Sequence, residues 1–132
     1  MPDYSIILNS LYSDPFDYIK EIENKRYRSY LTNRLKDILP DLKADDIKLD
    51  MWSFRRFMSF LAFLNKKDIY FDFSYSVTDN GNSAIQKIDI ARDKYLYIEF
   101  SREGNFYMNR ISDMQLTSGF TKLLKEIKLF LS

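Results

Sequence analysis

The chain has no cysteine and no histidine, and only three glycines and three prolines among its 132 residues. Each shortage closes off some chemistry. Without cysteine there are no disulfides, so stability has to come from the core, and a reducing compartment is permitted. A cysteine nucleophile, a serine–histidine pair, a histidine acid–base pair and a structural zinc site all lack their essential side chains. Phosphate-cradling loops need clustered glycines so that backbone N–H groups can approach the ligand. Gly81, Gly104 and Gly119 are far apart, which excludes a Walker or Rossmann loop. No cofactor is expected.

An excess of charge is also missing. Twenty basic residues face nineteen acidic ones, a net charge of +1. The whole-molecule field therefore favours neither nucleic acid nor an acidic membrane surface, and any such contact needs a local patch. No stretch reaches the roughly 20 consecutive apolar residues that span a bilayer. The opening MPDYSIILNSLYSD lacks a basic leader and a small-residue cleavage site. A cytoplasmic location is the expectation.

Aromatic side chains, by contrast, are abundant: ten Tyr, eleven Phe and one Trp, 17% of the chain. Hydrophobic residues at 45% and charged residues at 30% fit a folded protein rather than a disordered one. The length suits one core, so residues 1–132 are expected to form a single domain. A domain this small cannot hide every ring, and tyrosine tolerates half-wet positions because its hydroxyl stays solvated.

Tyr4–Leu11 fits a short helix or turn. Asp14 then offers an N-cap with Pro15 at the first helical position. Phe16, Ile19, Ile22, Leu31, Leu35, Ile38 and Leu39 recur at near-helical spacing, which predicts one long helix over 15–39, stopped by Pro40. Residues 40–49 read as a polar connection. Met51–Leu64 is apolar almost all round, with only Ser53, Arg55, Arg56 and Ser59 to meet water, the pattern of a central buried helix. The period then changes. Ile69 to Val77 alternates as a strand with one buried face, and Asn80-Gly81 signals a hairpin. Further strands are expected over Ala84–Ala91, Tyr95–Ser101 and Phe106–Ile111, with short turns that require antiparallel pairing. Ser118–Leu131 is an amphipathic helix. The expected fold is α+β in two layers, with N-terminal helices and a C-terminal helix on a four-stranded antiparallel meander.

Three kinds of site are conceivable. A nuclease would need Asp89 and Glu99 on neighbouring strands to share a divalent cation, but the lysine that usually follows such a pair is replaced by Ser101. Arg55, Arg56, Tyr97, Glu99 and Arg110 supply the types for histidine-free RNA cleavage, with no spacing that joins them. Neither outweighs a solvated polar face, so no catalytic residue and no metal ligand is expected. A nucleic-acid regulator would use Lys25, Arg26, Tyr30 and Arg34, the last three at four-residue steps along one helix. A protein-binding patch would use Tyr70, Tyr95 and Tyr97 on the sheet face opposite Leu96, Ile98 and Phe100, joined by Arg55 and Arg56. Tyrosine and arginine are enriched at interface hot spots.

The run from Asn80 to Gln86, followed by Tyr95-Leu96-Tyr97-Ile98-Glu99-Phe100-Ser101-Arg102-Glu103-Gly104, resembles small bacterial proteins of immunity and antitoxin type. In those, a turn glycine opens a strand and a second strand of the form L-x-I-E-[IF] ends at another turn glycine. The likeness spans residues 80–104. Where those relatives carry tryptophan, this chain reads Ile88-Asp89-Ile90. The resemblance implies a small non-enzymatic inhibitor that neutralises a partner toxin or defence protein, and it carries no functional residues across. Binding to another protein is therefore the leading expectation. Nucleic-acid binding through the Lys25–Lys36 face comes second, and membrane contact is not expected.

Overall fold

The computed structural model describes residues 12–109 and 113–132. The readings placed on Tyr4–Leu11, Arg110 and Ile111 lie outside the described residues. Among them the elements are helices α1 (Pro15–Lys20), α2 (Lys25–Ala44) and α3 (Met51–Lys66), strands β1 (Ser74–Val77), β2 (Ser83–Asp89), β3 (Lys94–Ser101), β4 (Gly104–Met108) and β5 (Gln115–Thr117), then helix α4 (Thr121–Leu131). The fold is α+β, with one antiparallel sheet in the order β1-β2-β3-β4-β5. The sheet has five strands rather than four.

Caps explain where the helices begin. Asp14 accepts from the Phe16 N–H with Pro15 at the first position of α1. Asn24 accepts from Tyr27 N–H and restarts the chain as α2, so the expected single helix over 15–39 is two. Arg28 crosses the break by donating to the Ile22 carbonyl. Pro40 does not end α2. Its ring is exposed, only one intrahelical donor is lost, and burial of Leu42 one turn from Ile38 carries the helix on to Ala44.

Asp50 caps α3 by accepting from the Ser53 N–H at 3.0 Å and pairs with Arg102 at 3.1 Å. Partial desolvation opposes the charge on Asp50. The N–H groups of Ser53 and Trp52 and the Arg102 guanidinium outweigh it and hold the carboxyl below its usual range. A depressed carboxylate contributes stability above its unfolded pKa and loses that contribution as pH falls through the folded value. The stability advantage of the protein over Asp50→Asn should therefore be constant near neutrality and vanish on acidification below about pH 4. Urea midpoints measured across that range check it.

The core lies between the helices and one face of the sheet. Phe57 stacks on Tyr75 at 5.1 Å and touches Phe100, while Phe60 contacts Phe100 and Phe120. Tyr75, Ile85, Leu96, Ile98, Phe100 and Tyr107 supply the sheet side. Much of the aromatic content is thus core, as the sequence of α3 implied.

One hydroxyl repairs the sheet. Ser53 Oγ accepts from the Ser83 N–H at 2.8 Å and donates to the Phe100 carbonyl at 2.5 Å. It stands where β2 and β3 would otherwise bond directly, and it is fully buried. Ser53→Ala leaves a buried donor and a buried acceptor unpaired, so a loss of about 2 kcal/mol is expected, read from chemical denaturation.

Candidate functional site

The register decides which side chains share a face. Three cross-strand rows run over the surface opposite the helices: Ser76–Ala84–Glu99–Phe106–Leu116, Ser74–Gln86–Tyr97–Met108, and Ile88–Tyr95. An antiparallel sheet with one wet side normally turns polar residues outward. Here the β3–β5 half turns out rings and aliphatic groups, and a single carboxylate. Ile88 is 58% exposed and Leu116 53% exposed. Tyr95, Tyr97, Phe106 and Met108 are half-buried on this face.

Glu99 sits within this surface as a fixed acceptor. Its two oxygens take a hydrogen bond from the Tyr97 hydroxyl at 2.8 Å and from Asn82 Nδ2 at 3.0 Å. Burial, then the bond to Glu99 and the charges of Glu99 and Tyr95, push the Tyr97 hydroxyl well above the usual tyrosine range. The phenol is therefore a donor at neutral pH, not a base. With strands about 4.8 Å apart and a rise of about 3.4 Å per residue, the strands of 4, 7, 8, 5 and 3 residues give the face an area of about 440 Å². That is about half of the ~800 Å² which each partner buries in an ordinary complex, so a partner of that kind would also cover the flanking turns.

Other candidates occupy different positions. Tyr95 and Tyr97 lie on this face, and Tyr70 does not. Tyr70 donates to Asn65 at the end of α3 and packs near the Tyr27 ring. Arg55 reaches the Tyr18 hydroxyl and the Tyr12 carbonyl. Arg56 is 6% exposed, bonds Asn105 Oδ1 and the Ser118 carbonyl, and lies 5.2 Å above the Trp52 ring. Both arginines tie the chain to itself on the helix side, and Tyr70, 47% exposed, stands apart from the sheet face. The expected five residues therefore do not form one patch, and only Tyr95 and Tyr97 share the open face.

The basic stripe of α2 also has an internal use. Tyr30 accepts from the Tyr75 N–H, Arg34 Nε donates to the Tyr75 carbonyl, and Arg26 pairs with Asp72 at 3.0 Å. Tyr27 adds two bonds to the Phe71 backbone. The helix thereby covers the outer edge of β1, a standard protection against edge pairing. Lys25 is exposed at the start of α2.

Comparison with family models, with curated proteins and with solved structures gives no match. Chemistry must therefore be read from the residues. Asp89 pairs with Lys94, five positions from Glu99 along β3. At about 3.4 Å per residue the two are roughly 17 Å apart along the strands, and they alternate to opposite faces, so they cannot share one cation. Among the described residues no group of three or more potential ligands could hold a metal. No helix among them is long and apolar enough to cross a membrane. Phe106, Met108 and Leu116 were not legible as site residues, although the alternation of β4 around buried Tyr107 would have placed Phe106 and Met108 beside Tyr97.

Proposed function

We propose that the chain is a non-enzymatic protein-binding module that acts by occupying a partner, in the manner of an immunity or antitoxin protein neutralising a toxin or defence effector. The open sheet face carries this reading. It presents Tyr95, Tyr97, Phe106 and Met108 with exposed Ile88 and Leu116 around one ordered carboxylate, and apolar groups gathered on one open face favour an interaction site. A rigid sheet loses little conformational entropy on docking. Glu99, already held by two hydrogen bonds, suits a partner that brings a lysine or arginine to the centre of its own apolar surface. A second copy of this face would instead set carboxylate against carboxylate. The absence of cysteine suits work in a reducing cytoplasm.

The test is affinity capture from the native host's lysate at low and high salt with nuclease, followed by titration of the recovered partner. A protein retained through high salt and nuclease, whose affinity falls at least 100-fold with Tyr97→Arg and is unchanged with Lys25→Glu, supports the reading. Because Tyr97 points away from the core, Tyr97→Arg should melt close to the parent. Recovery of nucleic acid, released by salt and lost with Lys25→Glu, would overturn it.

A further inference from the structure

Strand β2 is longer than the strand that covers it. β1 pairs with β2 only as far as Ser74↔Gln86, while β2 continues to Asp89 against β3. The chain before Ser74 leaves the sheet because the Tyr27 hydroxyl takes both the N–H and the carbonyl of Phe71 at 2.9 Å. The result is a notch of about 320 Å³ lined by Asp72, Phe73, Ser74, Gln86, Lys87 and Ile88.

Strand parity fixes which backbone groups face this notch. The Tyr75 N–H and carbonyl point outward to Tyr30 and Arg34, so Ser74 and Ser76 bond inward to Gln86 and Ala84. Backbone groups alternate sides along an antiparallel strand. Lys87 and Asp89 therefore bond β3, and the N–H and carbonyl of Ile88 point into the notch. Neither group has a hydrogen-bond partner among the described residues. The Ile88 side chain stands on the open face beside Tyr95.

A donor and an acceptor on one residue at a strand edge match the backbone of an extended polypeptide. We infer that the notch binds an extended segment of a partner protein, which adds to β2 at Ile88 and continues the sheet beyond the end of β1. The pairing residue of that segment lies next to Ile88 on the open face and is apolar. Its neighbours point toward the helix layer. This inference rests on the protein-binding reading and extends its surface to the edge, but it concerns backbone pairing rather than the tyrosine face.

The test begins with the free protein. The Ile88 amide should exchange its hydrogen at least 100-fold faster than the Lys87 and Leu96 amides. A phage-displayed library of random peptides is then panned against the whole chain, and a synthetic copy of the most enriched peptide is used as the probe. Adding it should slow exchange at Ile88 at least tenfold, and N-methylation of the peptide at its pairing residue should abolish binding. Ile88→Pro should also abolish peptide binding while keeping the fold, since this N–H serves no ladder bond. Protection of Ile88 in the free chain, an absence of enriched peptides, or peptides that bind without protecting Ile88 overturns the inference. Loss of the captured partner with Tyr97→Arg but not with Ile88→Pro also overturns it and leaves the protein-binding reading standing. Concentration-dependent dimerisation abolished by Ile88→Pro would assign the notch to a second copy and overturn it as well.

Discussion

Replacing Gly81 by alanine is expected to lower the melting temperature by roughly 10–15 °C, the effect of about 3–4 kcal/mol in a domain of this size. Two costs combine. Gly81 has φ +84, a region that charges an L-residue about 1–2 kcal/mol. A β-carbon there would also stand 2.1 Å from the Lys48 carbonyl oxygen and 3.3 Å from the Asp50 nitrogen, so the backbone itself must move. That movement is not local. Asp50 N–H donates to the Gly81 carbonyl at 2.9 Å, and Asp50 both caps α3 and pairs with Arg102 of the β3–β4 turn. Pushing the 47–50 segment away thus loosens the start of the central helix and its tie to a second hairpin. Gly119→Ala is the control, because a β-carbon there meets nothing within 4 Å. Thermal unfolding of both variants should show a large drop for Gly81 and almost none for Gly119.

Gly81 also illustrates what periodicity and turn residues convey. Asn80-Gly81 marked a hairpin, and β1 and β2 do form one, but the connection runs over 78–82 and the glycine is required as much by the approach of Lys48 as by the turn. Alternation placed Leu96, Ile98 and Phe100 inward and Tyr95 and Tyr97 outward, because a half-buried strand writes its two faces into every second residue. The apolar girth of α3 announced a buried helix for the same kind of reason. Strand β5 was illegible: Gln115, Leu116 and Thr117 are too few to show a period. Spacing also misled where two helices were read as one. At about 100° per residue Ile22 and Leu31, nine positions apart, fall on opposite sides of a continuous helix, so the apolar stripe slips where the cap at Asn24 restarts the chain. The expected strand from Ile69 was cut short by Tyr27, forty-four positions away from Phe71, and no local pattern reports such a capture.

Polarity was the least reliable guide of all, and Arg56 shows why. A charged side chain on an apolar helix reads as the side that meets water, yet this guanidinium is buried and organises the far edge of the sheet. It donates to Asn105 Oδ1 at 2.7 Å and to the Ser118 carbonyl, while Asn105 Nδ2 donates to the Gly119 carbonyl at 2.8 Å. Together these bonds hold the 118–120 segment, which leads from β5 into α4 and carries fully buried Phe120. The cation also lies 5.2 Å from the Trp52 ring and 6.0 Å from Phe120. Arg56→Ala is expected to cost about 3–5 kcal/mol. It strands the buried Asn105 Oδ1 at about 1–3 kcal/mol and the part-buried Ser118 carbonyl at less, and it removes the cation–π contacts and the packing of the aliphatic stem. Arg56→Lys should recover less than half, because an ammonium cannot reproduce the planar fork that serves two acceptors at once. Trp52, the one tryptophan of the chain, makes the measurement direct. Urea titration followed by its fluorescence should give a lower midpoint for both variants, with an emission change in the folded baseline where the guanidinium has gone. If Arg56 only solvated the helix, Arg56→Lys would match the parent, and the midpoint of Arg56→Ala would move by no more than the ~0.5 kcal/mol of an ordinary surface substitution.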